Sequence, residues 1–164
     1  MLNYAFPYDS ADIGKAYSAM AHSLHDAITC NATDQPKYLK FFLSTFERFR
    51  LLLPNEDFRY FAFQCWQEGV ARYTELKVAE SAGSGYSPGS AFQSLKDFKP
   101  FREVADSIRS TILGQLANPS LGEMKRVAFY SFGAGEALLL DKVHPGWKKQ
   151  YLQDKFHLEK YFSK

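Results

Sequence analysis

From Ser10 onward, apolar residues return every three or four positions, which is the spacing of one face of an α-helix. On a helical wheel Ile13, Tyr17, Met20, Leu24, Ala27 and Ile28 form a single stripe behind Ser10 or Asp12 as N-cap. The turn NATDQP follows, with Pro36 suited to the first position of a second helix. That helix, about 36–53, carries Tyr38, Phe42, Phe46 and Phe49 with Glu47, Arg48 and Arg50 interspersed, and Pro54-Asn55 breaks it. A long third helix is predicted over about 55–81, and SAGSGYSPGS (81–90) reads as a flexible surface loop. Helical spacing resumes at about 99–117, stops at Asn118-Pro119, and returns over about 120–142 until HPGW. The aromatic lead-in LNYAFPYD reads as extended, and the tail WKKQYLQDKFHLEKYFSK as one or two short helices. No repeat and no useful alternating pattern appears. The expectation is one all-α domain over residues 1–164, a bundle of about six to eight helices.

Two helices carry unusual residues. On the third, Phe58, Phe61, Ala62, Cys65, Gly69, Tyr73 and Leu76 share a face, so Gly69 sits at its centre and would let another helix backbone come close. Glu68, Arg72 and Glu75 border that face at i, i+4 and i+7, the spacing of a helix-surface ion pair. RVAFYSFGAGEALLLD, 126–141, is apolar nearly all round, the mark of a central helix, and Gly133 and Gly135 invite close contact. Glu136 lies among Phe129, Phe132 and Leu140. A carboxylate so placed must be hydrogen-bonded, paired or protonated, and Arg72 and Arg126 are the expected partners. A role for Glu136 as an acid near a metal or substrate is the alternative.

Composition narrows the classes further. A chain of 164 residues with 46% hydrophobic and 16% aromatic content can bury a core, and its many rings form either that core or a contact surface. A formal charge of +2 with interleaved signs leaves no basic stripe for nucleic acid. No run reaches the ~18–20 apolar residues of a membrane span, and MLNYAFPYDS lacks the build of a signal peptide. The chain as given reads as soluble, without a compartment. Cys30 and Cys65 lack CxxC spacing and read as free thiols. His22 and His25, at i and i+3, fall off the apolar stripe and lack the HExxH arrangement, so they read as solvent-facing. His144 reads as a polar residue at a helix C-terminus. No serine elbow, Walker loop or dinucleotide fingerprint occurs, and GSGYSPGS follows a helix rather than a strand.

CWQEGVARYTE resembles the W-x-E-G-x-A-x-Y segment of gluzincin-type zinc peptidases and their relatives. FLSTFERFRLLLPNEDFRYFAFQCWQEG is similar to the arginine-bearing helix before that segment. RVAFYSFGAGEALLLDKVHPGWKKQYL is similar to the C-terminal helix and Pro-Gly-Trp turn after it, so the resemblance covers about 38–162. It implies that Glu68 is the third zinc ligand, that Gly69 packs closely behind it, and that Tyr130 could donate to a developing oxyanion. Arg72, Glu75, Arg126 and Glu136 would support the site. The chain departs from the family in having no HExxH, hence neither two His ligands nor a general base. The expectation is therefore no cofactor for the isolated chain, and zinc only if an HExxH segment is supplied upstream.

Two origins follow: part of a longer protein, which the uncapped aromatic start suits, or a relative that kept the scaffold and lost the metal. The rival reading is a non-enzymatic helical interaction or oligomerisation domain. Its aromatic surface, Tyr4, Phe6, Tyr8 and the Phe-rich second helix, would dock a partner or a second copy. A ring-lined ligand pocket is a third reading, without a polar constellation to name its ligand.

Overall fold

The computed structural model describes residues 4–153 and 155–163. Leu2 and Asn3 of the lead-in and Asp154 and Lys164 of the tail lie outside the described residues. All regular elements among the described residues are helical, as the periodicity predicts.

Helix α1 (Ala11–Thr29) begins behind Ser10, whose Oγ accepts from the Ile13 N–H. Asn31 and Asp34 brace the turn to α2 (Gln35–Leu52) by exchanging two hydrogen bonds of 2.9 and 3.0 Å. Pro36 occupies the second helical position rather than the first, still within the turn whose N–H groups have no helical acceptor. Tyr17 packs on Phe49 and Ser23 bonds Thr45 at 2.6 Å, so α1 and α2 run in opposite senses.

The predicted helix 55–81 is three elements: α3 (Asn55–Gln64), a π-helical turn (Cys65–Gly69) and α4 (Val70–Gly85). The stretch 81–85, expected as loop, completes α4. There Gly83 lies against the backbone of Arg102, which a Cβ would approach to 3.0 Å, so packing overrides the local glycine signal. After the single turn α5 (Ser90–Gln93), α6 (Phe101–Ala117) returns along α4, with Arg109 paired to Glu80. The predicted helix 120–142 is likewise divided into α7 (Leu121–Met124), a 3-10 turn (Lys125–Val127) and α8 (Ala128–Val143). Lys125 at φ 51° makes the break, so Arg126 lies outside the central helix. His144 is the C-terminal cap residue of α8. The tail forms α9 (Trp147–Tyr151) and a 3-10 segment (Leu158–Ser163).

Helix α8 is central and buried from Ala128 to Leu140 except at Tyr130. The α3–π–α4 rod runs beside it in the same sense. Phe61 meets Phe129 at 5.1 Å, Cys65 meets Gly133, and the Tyr73 hydroxyl donates to Asp141 at 2.7 Å. Helix α1 also runs with α8, from the Tyr17 hydroxyl on the Ala128 carbonyl (2.8 Å) to Lys142 Nζ on the Ile28 carbonyl (2.7 Å). Phe42 and Phe46 of α2 and Leu116 of α6 complete the cover.

The rings expected to form a docking surface mostly face inward. Phe6 is buried, and Tyr4, Phe6 and Tyr8 pack on Tyr60 and Phe129. Phe42, Phe46 and Phe49 are core residues as well. Burial of large rings is the strongest drive the chain has, which leaves Phe41 as the exposed ring of α2, while Tyr38 is half-buried against the core.

Candidate functional site at the CWQEG turn

The π turn lies where the third helix crosses α8. The Val70 N–H reaches the Cys65 carbonyl, five residues back, instead of the usual four. Two glycines meet at the crossing. A Cβ on Gly69 would stand 2.5 Å from Gly133 Cα, and one on Gly133 would strike the Cys65 carbonyl. The two backbones touch because neither residue has a side chain, as the position of Gly69 on the packed face predicts. Single π turns inside α-helices occur frequently at functional sites.

Glu68 stands on this turn, half-buried. Among the described residues its carboxylate takes part in no hydrogen bond or ion pair. Arg72 instead pairs with Glu75 at 2.7 Å, an exposed i, i+3 contact, so these two form the helix-surface pair that their spacing allows. The Trp66 ring, on the same turn, packs on Phe63 and Phe156 at 5.6 and 4.5 Å, and its indole N–H lies toward Tyr151. Phe156 holds φ 76°, a costly conformation for a residue with a Cβ.

Glu136 is 2% exposed, as its apolar neighbours predict, but neither expected partner reaches it. Arg72 is committed to Glu75, and Arg126 sits in the 3-10 turn beside Tyr8. Glu136 Oε1 is unpartnered among the described residues. Burial, and then the charge of Glu159, push its carboxyl well above the usual range. Burial also raises Cys65, with Glu136 and Glu159 adding to the effect, and Tyr17, with Cys65 and Glu136 adding. These groups make a polar inclusion in an aromatic core, where burial favours the uncharged form of each. A thiol held protonated in this way is a poor nucleophile.

Tyr130 is half-buried near Tyr8 and Arg126. Among the described residues no hydrogen bond or ion pair joins Glu68 to Tyr130, Arg126 or Glu136, and no group of three His, Cys, Asp or Glu could hold a metal. His22 Nε2 lies 3.1 Å from the Ala117 carbonyl, and His25 Nδ1 3.4 Å from Asp26.

Sequence reasoning missed Asp141, which accepts from Tyr73, Trp147 and Lys148 at 2.7, 3.1 and 2.7 Å. The signal that singled out Glu136, an acid on an apolar helix, was present at Asp141 too. The chain matches no family model, no curated protein and no solved structure.

Proposed function

We propose that this chain is a helical scaffold whose π turn presents Glu68 as a single carboxylate ligand to a metal-binding helix supplied by another segment. The half-buried carboxylate of Glu68, unpaired among the described residues and standing on a π turn, carries the reading. The close backbone contact of Gly69 with Gly133 fixes the base from which the side chain projects. The resemblance of CWQEGVARYTE to the third-ligand segment of gluzincin-type peptidases supplies the chemical class. Among the described residues the donor set does not fit zinc by itself, since one carboxylate leaves three positions of a tetrahedral site without protein ligands. No hydrolytic step is assigned to the isolated chain.

Calorimetric titration tests the reading. Zinc added to the chain alone gives no tight binding. Zinc added together with a helical peptide bearing HExxH gives binding that Glu68→Gln weakens by about tenfold or more. Equal binding by the variant in that mixture defeats the proposal, as does tight binding by the chain alone.

A second reading, an interaction domain, is favoured by the outer face of α2, where Phe41 is 55% and Leu51 74% exposed. A second copy is the occupant to test. Sedimentation velocity would show a dimer that Phe41→Ser with Leu51→Ser dissociates, and a monomeric native chain would rule it out.

A further inference from the structure

Helices α4 and α8 stay side by side up to the Tyr73–Asp141 contact, and α8 ends at Val143. Helix α4 continues to Gly85. At about 1.5 Å per residue, the end of α4 and the start of α6 therefore project roughly 15 Å beyond the central helix as an antiparallel arm. Gly83 against Arg102, and Glu80 paired with Arg109, tie the two strokes of the arm together.

The tip has an unusual surface. Every residue from 86 to 100 except Pro88 and Phe98 is exposed, which makes it convex rather than grooved. Yet it is rich in apolar groups: Tyr86 is 62%, Phe92 48% and Leu95 51% exposed. The rings of Phe92, Phe98 and Phe101 touch at 5.7–6.5 Å, Tyr86 touches Phe101 at 5.9 Å, and none of them joins the main core. Lys96, Lys99 and Arg102 are interleaved with these rings, and among the described residues they make no ion pair. Asp97 and, on α6, Glu103 are the acids of this stretch.

Clustered apolar surface exposed on a projecting arm marks a contact site. A convex tip of rings alternating with unpaired cations suits a bilayer interface, where aromatic rings lie at headgroup depth and Lys and Arg meet phosphate. The geometry points to the α4–α6 tip as a contact for an anionic lipid surface. Tyr86, Phe92 and Leu95 enter the boundary between headgroups and acyl chains, and Lys96, Lys99 and Arg102 meet lipid phosphates. The contact is peripheral in kind, since no helix among the described residues is long and apolar enough to cross a membrane.

Co-sedimentation of the full chain with phosphatidylcholine vesicles containing about one-third phosphatidylserine tests this. The native chain sediments with them and is released by salt, and it binds pure phosphatidylcholine far less. Phe92→Ser with Leu95→Ser, and separately Lys96→Glu with Lys99→Glu, each weaken partitioning by about tenfold or more. These positions are exposed, and an unchanged far-ultraviolet circular dichroism spectrum verifies that the variants fold. Absence of binding by the native chain, or binding that both variants keep, overturns the proposal. So does a native dimer, seen without lipid, that the tip substitutions convert to monomer, because the tip would then be a protein–protein surface.

Discussion

Glu136 shows what burial does to a single carboxyl group at the centre of a ring-packed core: it favours the protonated form. Its folded-state pKa is raised by burial and then by Glu159, so the folded chain retains a proton that the unfolded chain releases near the ordinary carboxylate pKa. Stability from this group is therefore whole below that ordinary value and is lost as pH rises through the raised folded value. Glu136→Gln removes the titration. Urea unfolding of the two proteins across a pH series is expected to give similar stabilities near about pH 5. The variant should be the more stable by about 1 kcal/mol or more at alkaline pH. Parallel pH curves for the two proteins would mean that the carboxyl does not titrate in this way. The burial of Glu136 was legible in the sequence from its apolar neighbours. The absence of an arginine partner was not, because Arg72 and Arg126 are placed by a π turn and a positive-φ break that periodicity does not encode.

At the scale of elements, the crossing with α8 explains why the third helix carries a Glu68-Gly69 pair. Gly69 is where it is because the Gly133 backbone occupies the space a side chain would take. Gly133→Ala should cost about 3 kcal/mol in chemical denaturation, since the new methyl meets backbone atoms of Cys65 that have no rotamer to change. The control is Gly114→Ala on α6, where nothing lies within 4 Å of the new Cβ and a gain of about 0.5–1 kcal/mol is expected. If the two substitutions have equal effects, the crossing is not held by backbone contact. The sequence marked the small residues but not the π turn, because one extra residue shifts the wheel by too little to be seen among so many rings.

At the scale of the whole molecule, Asp141 binds together parts of the chain that are distant in sequence. Burial pushes its carboxyl up, but hydrogen bonds from Lys148, Tyr73 and Trp147 outweigh that and hold it below the ordinary range. Its stabilising contribution is thus present above the ordinary carboxylate pKa and is lost as pH falls through the lowered folded value, opposite in sign to that of Glu136. Asp141→Asn should lower stability by about 2 kcal/mol at neutral pH and by less in acid, a difference that thermal unfolding at two pH values would reveal. A pH-independent loss would point to packing rather than charge. The bundle also separates its roles in space: rings from the lead-in, α2, α3 and α8 fill the core, while the arm beyond α8 keeps its own small cluster in solvent.

The sequence by itself determined the helical class, the main helical stretches, the central place of the Phe129–Leu140 stretch and the burial of Glu136. Each of these follows from the local repeat of apolar residues and the drive to remove rings from water. Only the tertiary structure decided which rings face inward, which cation meets which acid, that SAGSG belongs to a helix, and that CWQEG widens into a π turn. Those depend on contacts between residues far apart in the chain, where one backbone against another, such as Gly69 on Gly133, outweighs the preference of any single residue.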